Sequence, residues 1–273
     1  MLLDLSRNRI HALYGTRAWM EPRYLMLADL YVRENKLKRI NMNLFRTMKS
    51  LTRLDLSHNQ LSVVSGTLVA CRLNSVDLSF NRLFELDCCG WEVPVLYGLV
   101  ANNNHLSTLP RCTEQALIDV YRLTLDKNQL QSDVIFEIRA LENLQFLTLS
   151  GNKLTHVTLN SSTLPRNLIY LNLSHNNLKV LELPYVPTKD VHIDVSMNCI
   201  GEIDWNTMST NLTKLEMKGN PLDCSFISIT AREYVRSKVV CTESIVERCL
   251  PKATTKRPLI HKPTVNERRF YLT

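Results

Sequence analysis

One spacing constrains this chain more than any other feature: L-x-x-L-x-L-x-x-N-x-L recurs ten times. Its clearest copies read LTRLDLSHNQL at 51–61, LQFLTLSGNKL at 144–154 and LIYLNLSHNNL at 168–178. The asparagines are Asn8, Asn35, Asn59, Asn81, Asn104, Asn128, Asn152, Asn176, Asn198 and Asn220, spaced 22 to 27 residues apart. A fixed period of this size means one coil per repeat. No coil can cover its own apolar face, so stability comes from stacking on its neighbours.

The fold class that follows is an α/β solenoid, a horseshoe whose concave face is a parallel β-sheet. In each repeat, leucines such as Leu51, Leu54, Leu56 and Leu61 point into the coil. The asparagine turns inward where the chain leaves the strand, and there its amide can satisfy buried backbone donors and acceptors. Alternate residues of each strand face the solvent on the concave side. Three repeats depart from the pattern, with Ala101, Asp190 and Met217 at apolar positions. These read as local packing changes.

With 273 residues, 45% of them hydrophobic, the chain can bury one long core and makes one elongated domain. It has no apolar run of 18 residues, the length a membrane-spanning helix needs. Met1 is followed at once by Leu3, Leu5 and Asn8, the middle of a repeat, and no leader precedes them. The economical expectation is a sequence incomplete at its N-terminus; the alternative is a natural start inside a repeat.

The opposite end changes character. Repeats occupy 1–220. Next come Asn220-Pro221-Leu222-Asp223-Cys224, an amphipathic stretch, Cys241 and Cys249, so 221–250 reads as a cysteine-bearing cap. It resembles the N-P-x-x-C cap of extracellular leucine-rich-repeat proteins. The usual C-x-C is lost because Phe226 replaces its second cysteine, leaving Cys224, Cys241 and Cys249 where four are common. The odd thiol is free, pairs with Cys199, or joins another chain. Residues 251–273 form a proline-punctuated tail in which Lys252, Lys256, Arg257, Lys262, Arg268 and Arg269 face only Glu267. Its charge of +5 is most of the chain's +7. Such a tail can hold anionic surfaces by charge, but a disordered, solubilising end is the simpler expectation, and nucleic-acid binding has little support.

Eight cysteines in a repeat protein point to an oxidising compartment. Cys89 and Cys112 each lie eight residues past their repeat's asparagine. Equivalent sites in stacked coils are about 5 Å apart, as a disulfide requires. Cys88 competes for that pairing, and Cys71 can take what remains; no C-x-x-C suggests zinc. Glycosylation sequons stand at Asn160, Asn172 and Asn211. Asn160 lies off the strand and is the best placed. A glycan on Asn172 would obstruct the concave face.

The outward column six residues before each asparagine reads Arg53, Ser75, Gly98, Arg122, Phe146, Tyr170, His192, Lys214. Phe146, Tyr170 and His192 form an exposed aromatic stripe flanked by Arg122 and Lys214, the kind of rigid surface interfaces use. Another column sets Asp55 beside Asp77, which could share a cation but fits a solvated face better, so no metal or other cofactor is expected. His58 and His175 are too far apart to share one. No nucleophile, carboxylate pair or phosphate loop is gathered by an insertion, so no enzyme is expected.

Repeat length, cap and cysteine content resemble extracellular leucine-rich-repeat proteins: Toll-type ectodomains, small proteoglycans and secreted mosquito immune proteins. Irregular repeats, interrupting cysteines and the short tail favour the last. That resemblance implies a circulating, disulfide-linked dimer holding complement-like effectors, although no heptads follow Cys249 to form that group's coiled coil. The resulting expectation is a secreted innate-immune recognition or scaffold protein, binding a protein partner (a complement-like effector or another leucine-rich-repeat chain) on its concave face. Two alternatives are a receptor or adhesion ectodomain and a cytosolic adaptor.

Overall fold

The computed structural model describes residues 1–15, 26–160, 163–186, 191–209, 211–222 and the backbone of 239–240. Asp190, the cap cysteines Cys224, Cys241 and Cys249, and the tail lie outside the described residues. Within them the repeats stack as coils, each giving one short strand to a single parallel sheet of eleven strands. The order follows the chain: Leu2–Asp4, Asp29–Tyr31, Arg53–Asp55, Ser75–Asp77, Gly98–Val100, Arg122–Thr124, Phe146–Thr148, Tyr170–Asn172, Val191–Asp194, Leu212–Glu216 and Val239–Val240. The last pairs Leu215 with Val239, so the sheet continues one strand into the segment expected to be cap.

The return segments are irregular, with single helical turns at Thr113–Ala116 and Val134–Glu137. Three two-stranded parallel sheets link neighbouring returns: Arg39–Asn41 with Val63–Ser65, Leu68–Val69 with Trp91–Glu92, and His156–Thr158 with Val180–Glu182. Leucines fill the space between. Leu144, Leu147, Leu149 and Leu154 of one coil are all fully buried, each contributing about 2 kcal/mol of transfer free energy.

The asparagines form a second ladder inside the coil. Asn59 donates to Val32 O of the preceding coil at 3.0 Å and to Leu56 O of its own at 3.1 Å. Its Oδ1 accepts the Leu37 N–H at 3.0 Å. The same bonds recur through Asn220, which serves Val195 O, Met217 O and the Ile200 N–H. Just before each asparagine the backbone is left-handed, at Arg7, Glu34, His58, Phe80, Asn103, Lys127, Gly151, His175, Met197 and Gly219. That turn swings the amide inward. Glycine takes it without strain; the other eight residues hold it because the amide's bonds over-determine it.

Two departures from the pattern leave the stack unchanged, since Ala101 and Met217 are fully buried. The third, Asp190, lies outside the described residues. Beside it Val191 is fully buried and pairs with Leu212, while His192 pairs with Lys214, so Thr213 is the extra residue of that pairing and His192 keeps its column.

Candidate protein-binding face

The columns read from the sequence are the columns of the sheet. Arg53, Ser75, Gly98, Arg122, Phe146, Tyr170, His192 and Lys214 are successive parallel partners. All five residues expected to bind a partner, Arg122, Phe146, Tyr170, His192 and Lys214, are therefore neighbours.

Their surface differs from the three-ring stripe in extent and exposure. Five rings run along the axis. Tyr97 stacks on Tyr121 (4.6 Å, 18°), Tyr121 tilts against Phe146 (5.4 Å), Phe146 against Tyr170 (6.4 Å), and Tyr170 meets His192 edge-on (5.2 Å, 76°). Tyr97 is exposed and the other four are half-buried, because each ring shelters its neighbour. Tyr97 and Tyr121 stand seven residues before their asparagines, one place outside the column searched. Their separation of 24 residues was the available signal.

Charge surrounds the ladder. Arg122 lies over the Phe146 ring at 4.7 Å from guanidinium carbon to centroid. At the far end Lys214 bonds Glu216, which also lies 3.1 Å from His192 Nε2. The Lys214 hydrogen bond holds the Glu216 carboxyl below its ordinary value. Arg53 is engaged elsewhere, gripping Asp29 with Nε and Nη2 at 2.7 and 2.8 Å. Burial raises the Tyr170 hydroxyl, and Asp194, Glu216 and Asp126 add to the shift. Burial also raises Asp126, although it accepts hydrogen bonds from Thr148 Oγ1 at 2.9 Å and the Ser150 N–H at 2.7 Å.

Asp55 and Asp77 are neighbours in the sheet, each turned to its own strand end. Asp55 accepts the Ser57 N–H and hydroxyl, and Asp77 accepts the Ser79 N–H. No group of three or more His, Cys, Asp or Glu side chains placed to hold a metal occurs among the described residues. His58 stacks on Phe80 at 4.1 Å, a pairing that sequence columns did not reveal.

The thiols sort by direction. Cys89 and Cys112 are disulfide-bonded with Cα atoms 4.9 Å apart; Cys88 points into the core and Cys71 to solvent, both reduced. Burial pushes the Cys88 thiol well up, so the competing pairing fails for want of access. Cys199 is also disulfide-bonded.

Among the sequons, Asn172 lies in the sheet between Thr148 and Asp194, with Oδ1 accepting the Ser174 N–H at 2.9 Å. Asn160 lies half-buried in a return segment, its backbone N–H bonded to Thr163 Oγ1 at 2.9 Å. Asn211 Nδ2, the atom a glycan would take, donates to Val186 O at 2.9 Å.

Comparison with known proteins agrees with this architecture. The family description Leucine rich repeat matches residues 26–83, and a second of the same name matches 167–187. The solved leucine-rich-repeat domain of APL1B is 21% identical, with a TM-score of 0.55 over 90% of this chain and 74% of that one. A leucine-rich-repeat protein of Leptospira interrogans is also 21% identical, with a TM-score of 0.59 over 88% of this chain and 65% of that one. This chain is a leucine-rich-repeat protein. Among curated proteins it is similar to Tsukushi of Xenopus tropicalis, 32% identical over 138 residues, and of Gallus gallus, 32% identical over 136. Those matches take in 48% of this chain but only 38% and 36% of the relatives. No helix among the described residues is long and apolar enough to cross a membrane.

Proposed function

We propose that the chain is a non-enzymatic binding module that holds a protein partner on its concave face. The five-ring ladder carries this reading: rings ordered by their neighbours offer apolar contact at small entropic cost. Arg122 and Lys214 at its margins select the partner's orientation. The partner-binding residues are Phe146, Tyr170, His192, Arg122 and Lys214, extended to Tyr121.

The cellular setting is a secreted one, and the Cys89–Cys112 disulfide supports it. Within that setting the role is recognition or scaffolding in innate immunity, as in the secreted mosquito proteins, with a complement-like effector or another leucine-rich-repeat chain as partner. Cys224, Cys241 and Cys249 supply the cap bridges, with any unpaired one available to a second chain. Of the three sequons, Asn160 is the one whose glycan leaves the concave face open, since one on Asn172 would obstruct it and the Asn211 amide is engaged.

The test expresses the chain behind a signal peptide in insect cells and measures self-association and effector binding. Phe146→Ala and Tyr170→Ala should each weaken the interaction about tenfold or more, with unchanged melting temperature. Full affinity in both variants removes the ladder as the binding face. Retention in the cell with every thiol free points instead to a cytosolic adaptor.

A further inference from the structure

The return segments carry a ladder of their own on the outer side of the coil, and it stops short. His156–Thr158 and Val180–Glu182 each begin four residues after their asparagines and pair in parallel. The equivalent stretch of the next repeat, counted from Asn198, is Glu202, Ile203 and Asp204. Among the described residues it is not a strand, and no hydrogen bond joins it to Val180–Glu182. Asp204 is the local cause. Its carboxylate accepts the Asn206 N–H at 3.0 Å and its carbonyl accepts Thr207 Oγ1 at 3.1 Å, so the chain turns where the previous repeats run on.

An open groove of about 690 Å³ separates the two segments, lined among others by Lys179, Val180, Glu182, Pro184, Ile203 and Asp204. Backbone groups of alternate residues in a strand face opposite neighbours. Glu182 O accepts the Leu159 N–H at 2.9 Å, so Val180 and Glu182 face the paired strand and Leu181 N–H and C=O face the groove. An edge of this kind accepts an added strand.

We infer that this groove receives an extended, basic segment of a partner protein, which docks as the missing strand against Val180–Glu182. Charge selects the occupant: Glu182, Glu202 and Asp204 line the groove against Lys179 alone, on a chain whose overall charge is +7. Apolar contact comes from Val180, 49% exposed, and from Ile203. The groove lies on the outer side of the coil and stands whether or not the concave face binds a partner.

The probe is a labelled, end-capped hexapeptide of alternating lysine and valine, titrated into the full chain. Binding should shift the Leu181 amide resonance and slow its hydrogen exchange. Val180→Lys and Glu202→Lys change exposed side chains, and each should weaken binding about tenfold or more. Equal affinity for a glutamate–valine peptide, unchanged affinity in both variants, or no binding overturns the inference. So does binding that appears only after residues 251–273 are removed, because the chain's own basic tail is then the occupant.

Discussion

Asn152 stands where two coils meet. It donates to Leu125 O and Leu149 O at 3.0 Å each and accepts the Leu130 N–H at 3.0 Å, all out of reach of water. Asn152→Ala leaves the buried Leu130 N–H unpaired and takes one of two amide donors from Leu125 O and from Leu149 O, and should cost about 2–3 kcal/mol in urea unfolding. Asn8→Ala is the control, because Asn8 is exposed and bonds only Leu5 O and Ser6 O at 3.0 Å. Its loss should stay under about 1 kcal/mol. Equal losses would mean that the amides do not hold the stack. Asp126 behaves in the opposite sense. Burial raises its folded pKa above the ordinary value, so stability falls as pH rises through the raised value. Asp126→Asn should raise the melting temperature at pH 7, and the gain should vanish once acid protonates the wild-type carboxyl.

The disulfide joins two return segments 23 residues apart in sequence. Removing it with Cys89→Ala and Cys112→Ala should cost about 2–4 kcal/mol, the usual range for a loop of this size. A maleimide should label Cys71 quickly in the native protein and leave Cys88 untouched until unfolding; labelling of Cys88 first would reverse their assignment. Elements such as the sheet were legible beforehand because a fixed period pins register, so Phe146 could be set beside Tyr170 by counting. What escaped counting was local. Tyr121 joins the ladder from one residue outside its column, and the ninth and tenth strands pair with a one-residue shift at Thr213 that the repeat does not announce. The outer groove depends on a turn at Asp204 that obeys its own hydrogen bonds and not the repeat. The position of the aromatic ladder was therefore readable, but its length and the outer groove were not.

At the scale of the molecule, every coil touches only its two neighbours, so a defect should stay local. In Asn152→Ala, native-state hydrogen exchange should accelerate for the amide of Leu130, which loses its acceptor, while Leu37, bonded to Asn59 four coils away, keeps its protection. A uniform loss of protection would show one cooperative unit instead. The ladder also has a sense of direction. From Asn35 to Asn220 each amide reaches back to a carbonyl and an N–H of the coil before it. A nascent coil leaving the ribosome thus meets a carbonyl and an N–H already in place on its predecessor, and by docking it pairs the N–H that the predecessor could not pair alone. The stack can be laid down in the order of translation, each turn completing the one before it.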